Sequence, residues 1–372
     1  MPPEILSFPA LWSRRGRGAG PHCGAKGEIV VEKIDFVLTW VDGQDPRWQA
    51  EKQRYMSAET GAAQGSANGE CRYRDFGLLR YWFRAVECFA PWVNRIFFVT
   101  CGQKPEWLNE AHPKLRLVDH RDYIPSEYLP TFNSNTIELN LFRLDELSER
   151  FVLFNDDMFL LRPLRPEFFF KKGYPVLPCS LAFPTWLWYG HVSRFIINNS
   201  GLLKCNMDIE SQVWKHWRKF FNIRALGFMR AMKNLLSISI NRSVIFGTFG
   251  HLPLPHLKST IAEIWERNPE IMDRAARHRF RNDECVSHWV ACGWNMLNGK
   301  FQPDKLRGVS TCLDRGNVDA VCKTITGRTF PDICINDTDG CGDIFSLFSE
   351  VAKAFETLLP ARSSFEKDSC EI

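Results

Sequence analysis

An α/β fold built on a doubly wound, mostly parallel sheet, with a largely helical C-terminal portion, is the architecture this sequence predicts. Three observations carry it. Short apolar runs at 34–40, 95–100, 115–118 and 151–154 are too brief for helices and suit strands buried on both faces. Segments of helical spacing separate them, as in a parallel sheet with crossover helices. Three apolar runs end abruptly in acid or amide: Asp42 follows the first, Asn155-Asp156-Asp157 the fourth, and Asn336-Asp337 a short run at 333–335. Open α/β sheets place their ligands at such carboxyl ends.

The elements follow in order. Asp45-Pro46 opens a helix over 47–56, with proline at a tolerated first-turn position. The small polar stretch 60–69 reads as a loop. Leu78, Leu79, Trp82, Phe83, Val86 and Phe89 recur at helical spacing, predicting a helix over 75–89 capped by Asp75 and ended by Pro91. Ile137, Leu141, Leu144 and Leu147 predict a helix over 134–147, capped by Asn133 or Ser134, with Glu138 in its first turn favouring the dipole. Beyond residue 165 the character changes. The aromatic, proline-containing stretch 168–189 reads as irregular or short extended chain. Residues 208–236 and 257–297 read as mostly helical, 300–340 as loops around a strand at Ile333, and 344–359 as a closing amphipathic helix.

Composition narrows the class. A chain of 372 residues suits one large domain or two ordinary ones, and 45% hydrophobic with 24% charged residues is a soluble globular balance. The net charge of +4, taken as evenly spread, does not argue for nucleic acid, though a mildly basic surface suits acidic substrates or anionic lipid. The thirteen cysteines are irregularly spaced, and Cys312, Cys322, Cys334 and Cys341 match no common zinc spacing. Buried, reduced thiols are the better reading, which points to a reducing cytoplasm. No stretch approaches the roughly 18 apolar residues of a membrane span. The apolar residues 5–12 precede Arg14, Arg15 and Arg17, the wrong order for a secretory signal.

Each polar cluster has a dull reading beside the chemical one. Side chains alternate along an extended chain, so at most one of Asp156 and Asp157 enters a given pocket. The pair also reads as a polar turn, but the repetition at Asp42 and Asp337 favours a site. Carboxylates gathered at a diphosphate ordinarily share it with Mg²⁺ or Mn²⁺. His251 sits in Gly-His-Leu-Pro-Leu-Pro-His, where prolines stiffen the backbone around a residue suited to general-base work. His256 is the competing histidine. Arg281 opens Arg-Asn-Asp-Glu at the start of a helix over 284–297, and suits either phosphate or a surface salt bridge. Arg80, one turn into the second helix, is within reach of an anion at that end.

Taken together, the chain resembles the Stealth family of hexose-1-phosphate transferases. That family includes bacterial capsule and exopolysaccharide phosphotransferases and the catalytic part of the eukaryotic enzyme that tags lysosomal glycoproteins with N-acetylglucosamine-1-phosphate. The resemblance rests on IDFVLTWVDGQDP (34–46), DFGLLRYWFRAVECFAPWVNRIFFVTCGQKPEWLN, LPTFNSNTIELNLFRL and LSERFVLFNDDMF within 73–159, the stretch 251–284, and ICINDT (333–338). Cys101 departs from the pattern, and 165–250 shows no strong match.

The resemblance implies a Rossmann-like fold of the nucleotide-sugar glycosyltransferase type, with catalysis by Asp157, His251 and Arg281. The 30-residue spacing between His251 and Arg281 fits the eukaryotic enzyme and supports His251 over His256. Donor binding is expected at Asp42, Gly43, Asp75, Arg80, Asn155 and Asn336, and Mg²⁺ or Mn²⁺ at Asp156, Asp157 and Asp337. Residues 1–32 are expected to be disordered, 33–165 to bind the nucleotide sugar, 166–345 to form the acceptor side, and 346–372 to be a closing helix and tail.

The expected reaction moves a sugar-1-phosphate, N-acetylhexosamine-1-phosphate by preference, from a UDP-sugar to a hydroxyl of a glycan or glycolipid, releasing UMP. The alternatives are a conventional glycosyltransferase releasing UDP and a non-catalytic glycan-binding scaffold. The expected setting is capsule or exopolysaccharide synthesis in the cytoplasm, with peripheral attachment to the inner face of the membrane left open and no nucleic-acid partner.

Overall fold

The computed structural model describes residues 33–58, 68–182, 191–240, 245–246, 249–337 and 343–368. The segment 1–32 expected to be disordered, most of the loop expected at 60–69, and Cys341 lie outside these residues. The first half contains β1 (Ile34–Thr39), α1 (Pro46–Ala58), α2 (Leu79–Phe89), β2 (Ile96–Thr100), β3 (Leu115–Asp119), α3 (Ser134–Leu139), β4 (Arg150–Asn155) and β5 (Met158–Leu160). Short strands β6 (Phe170–Lys171), β7 (Tyr174–Pro178) and β8 (Leu181–Ala182) precede helices α4 (His191–Asn206), α5 (Ile209–Lys215), α6 (Trp217–Phe220), α7 (Ile223–Leu226) and α8 (Phe228–Ile240). Then come β9 (Ile245–Phe246), β10 (Leu254–Leu257), α9 (Lys258–Arg267), α10 (Pro269–Arg277) and α11 (Trp289–Leu297). The chain closes with β11 (Gln302–Asp304), β12 (Val309–Cys312), α12 (Val318–Thr326), β13 (Asp332–Asn336) and α13 (Ile344–Leu358).

The principal sheet runs β10-β4-β1-β2-β3. β1 is parallel to both β2 and β4, β2 is parallel to β3, and β10 is antiparallel to β4. Because β4 lies on the opposite side of β1 from β2, the strand order reverses between β1 and β4. Alternation along the strands feeds two cores. Phe36, Leu38, Phe98, Val152 and Phe154 pack with Trp82 and Phe83 of α2 and Phe355 of α13. Val37, Phe97, Val99, Phe151 and Leu153 pack on the other face with Leu139 of α3, Ile264 of α9 and Trp294 of α11. Each fully buried phenylalanine contributes roughly 2–3 kcal/mol, so uniformly apolar strands are what a doubly covered sheet requires. β10 comes from the portion expected to face the acceptor, so the two expected portions share one sheet.

Several expected elements differ in extent. α2 begins at Leu79 rather than at residue 75, and Asp75 is not its cap. The Asp75 Oδ1 instead accepts from the Gly77 amide at 3.0 Å, and Gly77 has φ of 71°, which breaks the helix there. The helix expected over 134–147 stops at Leu139 and continues as a 3₁₀ turn over Leu141–Arg143. The three-residue spacing of Leu141, Leu144 and Leu147 suits such turns, which bring every third side chain to one face. The helix expected from 284 begins at Trp289, leaving Arg281 in an irregular connection. β10 was read as part of a stiff loop because of Pro253 and Pro255; a sheet edge tolerates proline because one row of its amides is unpaired. Helices α4 and α12 were also not foreseen.

Candidate active site

Two sheets meet at the Asp156-Asp157 turn. β4 leaves the principal sheet at Asn155, paired in register with Thr39 of β1, and β5 enters a second sheet ordered β12-β13-β5. β13 runs antiparallel to β5, and the Ile335 amide donates to the Asp157 carbonyl at 2.9 Å, so Asn336 and Asp337 arrive beside the turn. β10 pairs Leu254 with Leu153. Extending that antiparallel register past the strand ends sets His251 opposite Asp156. Four distant segments therefore converge at the carboxyl ends of β1 and β4, where the strand order reverses.

His251 is held from both ring nitrogens. Asn336 donates through Nδ2 to Ser310 Oγ at 3.2 Å and to the Thr311 carbonyl at 3.4 Å, turning its Oδ1 toward His251 Nδ1 at 2.8 Å. That arrangement places the proton on Nδ1. Nε2 keeps its lone pair and accepts from Asn155 Nδ2 at 3.0 Å. Asp157 Oδ2 stands 3.7 Å from Nδ1, and Cys334 Sγ stands 3.4 Å from it. His256 is fully buried against His288 Nδ1 at 3.0 Å, and burial pushes its imidazole down to about 3. It is neutral and sealed off; His251 is half-buried and open.

The carboxylates around this imidazole crowd one another. Burial, then Asp157 and Asp75, push the Asp156 carboxyl well above the usual carboxylate range. Burial and Asp42 likewise raise Asp75 against the hydrogen bonds it accepts. Asp157 Oδ1 is buried and has no hydrogen-bond partner among the described residues. Crowded acids with an unpartnered buried oxygen are what a hard divalent cation would relieve, so the residues fit Mg²⁺ or Mn²⁺. Asp157, His251 and Cys334 also offer ligand atoms within 4.8 Å of one another. Cys334 is the poor member of that set: burial, then Asp157, push its thiol well up, and a thiol is a weak ligand for a hard ion. Asp337, also expected as a ligand, has Arg74 at 3.3 Å from its Oδ2.

Arg281 occupies the neighbouring wall. Its guanidinium donates to Ser134 Oγ at 2.7 Å, and its backbone exchanges hydrogen bonds with the Asn68 side chain at 3.1 and 3.0 Å. It makes no hydrogen bond or ion pair with Asp157 or His251 among the described residues. A small aromatic core positions it: Phe280 stacks on Phe132 at 5.1 Å, and Trp48 packs on Phe132 and Tyr73. Glu138, expected to favour the dipole of its helix, is buried beside Arg281 and Ser134. Burial pushes it up to about 7, with Arg281 opposing.

Gly43 lies hard against this wall, since a Cβ there would meet the Tyr73 carbonyl at 1.9 Å. Asp42 is held through its amide by Gln103 Oε1 at 2.9 Å. Arg80 lies over Trp107 at 5.7 Å from the ring centroid and has no contact with the imidazole cluster among the described residues. Arg74, Cys334 and Ser134 were not singled out as site residues in the sequence, because none ends a strand or stands in a stiffened loop.

Comparison with known proteins agrees with the motifs of the first two regions. Stealth protein CR1, conserved region 1, matches residues 32–60, and Stealth protein CR2, conserved region 2, matches residues 72–176. A capsular polysaccharide phosphotransferase, WcwK of Streptococcus pneumoniae, is 42% identical over 91% of this chain and 100% of its own length. The receptor polysaccharide phosphotransferase WefC of Streptococcus oralis is 38% identical over 90% of this chain and all of its own. The exopolysaccharide phosphotransferase cps2G of Lactiplantibacillus plantarum is 32% identical over 90% and 96% of the two chains. Among solved structures, the apo WbbM bifunctional glycosyltransferase aligns with a TM-score of 0.32 and 10% identity over 90% of this chain and 53% of its own, too slight a likeness to carry weight. Near-complete coverage at these identities settles the lineage: the chain belongs to the Stealth family.

Proposed function

We propose that this chain transfers a sugar-1-phosphate from a UDP-sugar, N-acetylhexosamine by preference, to a glycan hydroxyl in capsule or exopolysaccharide synthesis. The observation that carries the reading is the convergence of Asn155, Asp157 and Asn336 on one oriented imidazole at the ends of β1 and β4. The parallel, doubly covered sheet fits a Rossmann-like, nucleotide-sugar-binding half at 33–165, with the acceptor side at 166–345. The relatives named as polysaccharide phosphotransferases support the reaction class.

In this mechanism the acceptor hydroxyl takes the place of the Asn155 amide at His251 Nε2 and loses its proton there. Its oxygen attacks the β-phosphorus, the bond from that phosphorus to the bridging oxygen of UMP breaks, and a phosphodiester forms. Asn336 keeps the proton on Nδ1, and Asp157 stabilises the imidazolium that results. The sugar C1–O bond stays intact, so anomeric configuration is retained. Asp157 and Asp156, with Asp337 across the turn, would hold Mg²⁺ or Mn²⁺, which supplies positive charge to the phosphoryl oxygens. Arg281, freed from Ser134, would supply a guanidinium to the diphosphate. Asp42, Gly43 and Asp75 shape the donor's bed, where close approach of the Gly43 backbone leaves no room for a side chain.

The test is product analysis. Incubation with UDP-N-acetylglucosamine, acceptor and Mg²⁺ should yield UMP. Release of UDP would assign the chain to conventional glycosyl transfer, and donor binding without turnover would make it a scaffold. An Asp157→Asn variant should lose turnover while keeping its fold, and chelation should remove activity that Mg²⁺ or Mn²⁺ restores.

A further inference from the structure

The helical segment from Trp214 to Ile240 leaves a second set of large apolar residues facing outward, beyond those it buries. On α8 the buried side carries Asn234 and Ser237, both 0% exposed, between Ala231 and Ile238, whereas the outward side carries Phe228, Met229 at 80%, Leu236 and Ile240 at 73%. The rotation is locked rather than accidental. Asn234 Oδ1 accepts from the Leu181 amide at 2.9 Å, and its Nδ2 donates to the Phe220 and Cys179 carbonyls at 2.9 and 3.2 Å. Turning the helix to bury the apolar stripe would break three hydrogen bonds inside the protein. Trp214 and Trp217, on α5 and α6, are exposed in the same segment.

Charge identifies the partner. Between Trp214 and Ile240 there are six basic residues and no acidic one, although the whole chain carries a net charge of only +4. The even spread expected from the overall charge therefore does not hold here. Lys215, Arg218, Arg224 and Lys233 are exposed and alternate with the apolar side chains. Exposed tryptophan, aliphatic side chains and unopposed lysine and arginine on one run of short helices are the composition of an interfacial element. No helix among the described residues is long and apolar enough to cross a membrane. We infer that the face formed by α5 to α8 docks on an anionic lipid surface, its apolar side chains entering the headgroup boundary and its cations meeting lipid phosphates. An acceptor carried on lipid would then be presented to the protein at that surface.

Vesicle flotation of the full chain tests this without donor or acceptor, so its failure would leave the transferase reading standing. Vesicles of phosphatidylglycerol and phosphatidylcholine should carry the protein, and pure phosphatidylcholine should carry little. Binding should fall when salt is raised to about 0.5 M, where charge interactions are screened within a few ångströms. Lys215→Ala and Arg224→Ala should each weaken binding about fivefold. Met229→Ser combined with Ile240→Ser should abolish it at an unchanged melting temperature. Absence of binding to the anionic vesicles, or equal binding to neutral ones, would overturn the inference. So would a self-associating wild type that the Met229→Ser/Ile240→Ser variant renders monomeric with vesicle binding unaltered, since the face would then belong to a second copy.

Discussion

Two ionic clusters, one buried and one half-buried, show opposite treatments of charge. Arg84 of α2 donates to both carboxylate oxygens of Glu366 at 2.8 and 3.1 Å, to Glu356 Oε2 at 3.0 Å and to the Leu359 carbonyl at 2.9 Å. Burial works to raise the Glu366 carboxyl, but Arg84 and the Ser363 amide outweigh it and hold the group below its usual range. At the Asp156-Asp157 turn, burial and neighbouring acids act in the same direction, and Asp156 is driven well up. The first cluster is neutralised inside the fold and pins the C-terminal tail to α2. The second is left short of positive charge, which a bound cation would supply. A fully paired buried charge marks architecture; an under-compensated one marks a place for something from outside.

Substitutions can break or sharpen that contrast. His251→Ala should lower kcat by about 10²–10⁴-fold with little change in melting, since it removes a proton acceptor and no core packing; steady-state kinetics on the folded variant checks this. Glu366→Ala should do the reverse, costing about 1.5–3 kcal/mol of stability by removing two charge-assisted hydrogen bonds from Arg84, which keeps Glu356 and the Leu359 carbonyl, while turnover per folded molecule is kept, as denaturant unfolding and active-site normalisation would show.

Asp332 probes the rule away from the site. It is buried with Oδ1 unpartnered, and burial pushes it up to about 7, with Arg162 opposing. A raised folded pKa favours the protonated form, so this contribution is full below the unfolded carboxylate range and is lost as pH rises through 7. Up to about 4 kcal/mol should therefore disappear between acidic pH and pH 8, and Asp332→Asn should flatten that slope in pH-dependent unfolding. Unchanged slopes would mean that burial alone does not make an acid a burden here. Gly43→Ala should cost about 1–3 kcal/mol or more, because its Cβ would meet the Tyr73 backbone carbonyl at 1.9 Å and the chain must shift, read as a rise in KM for the donor together with a lower melting temperature.

Much of the principal sheet was legible because its strands are buried on both faces, which leaves uninterrupted apolar runs such as 34–39 and 151–154. The acids and amides at their ends were legible for the same reason, as abrupt changes of polarity. Asn155, Asp157 and Asn336 follow from such signals, and His251 from its proline-stiffened loop and the family resemblance; the first three lie around the His251 imidazole. Arg80 was named from its place at a helix start and sits on Trp107 instead, because position on a helix says nothing about which neighbour reaches it. Arg74 and Cys334 were passed over: one follows a 3₁₀ turn, the other lies inside an apolar strand, and neither spacing carries chemistry. The apolar outward side of α8 is likewise not legible, since periodicity reports a stripe but not which side of it the protein buries.

By itself the sequence determined the family, the parallel strands and the polar residues that end them, because these depend on local composition and on short-range alternation. Only the tertiary structure decided that β10 joins the sheet edge, that β13 comes back beside the Asp156-Asp157 turn, and that Asn336 holds the His251 proton on Nδ1. Those outcomes rest on pairings between residues 85 to 178 positions apart, whose partners no local pattern can specify.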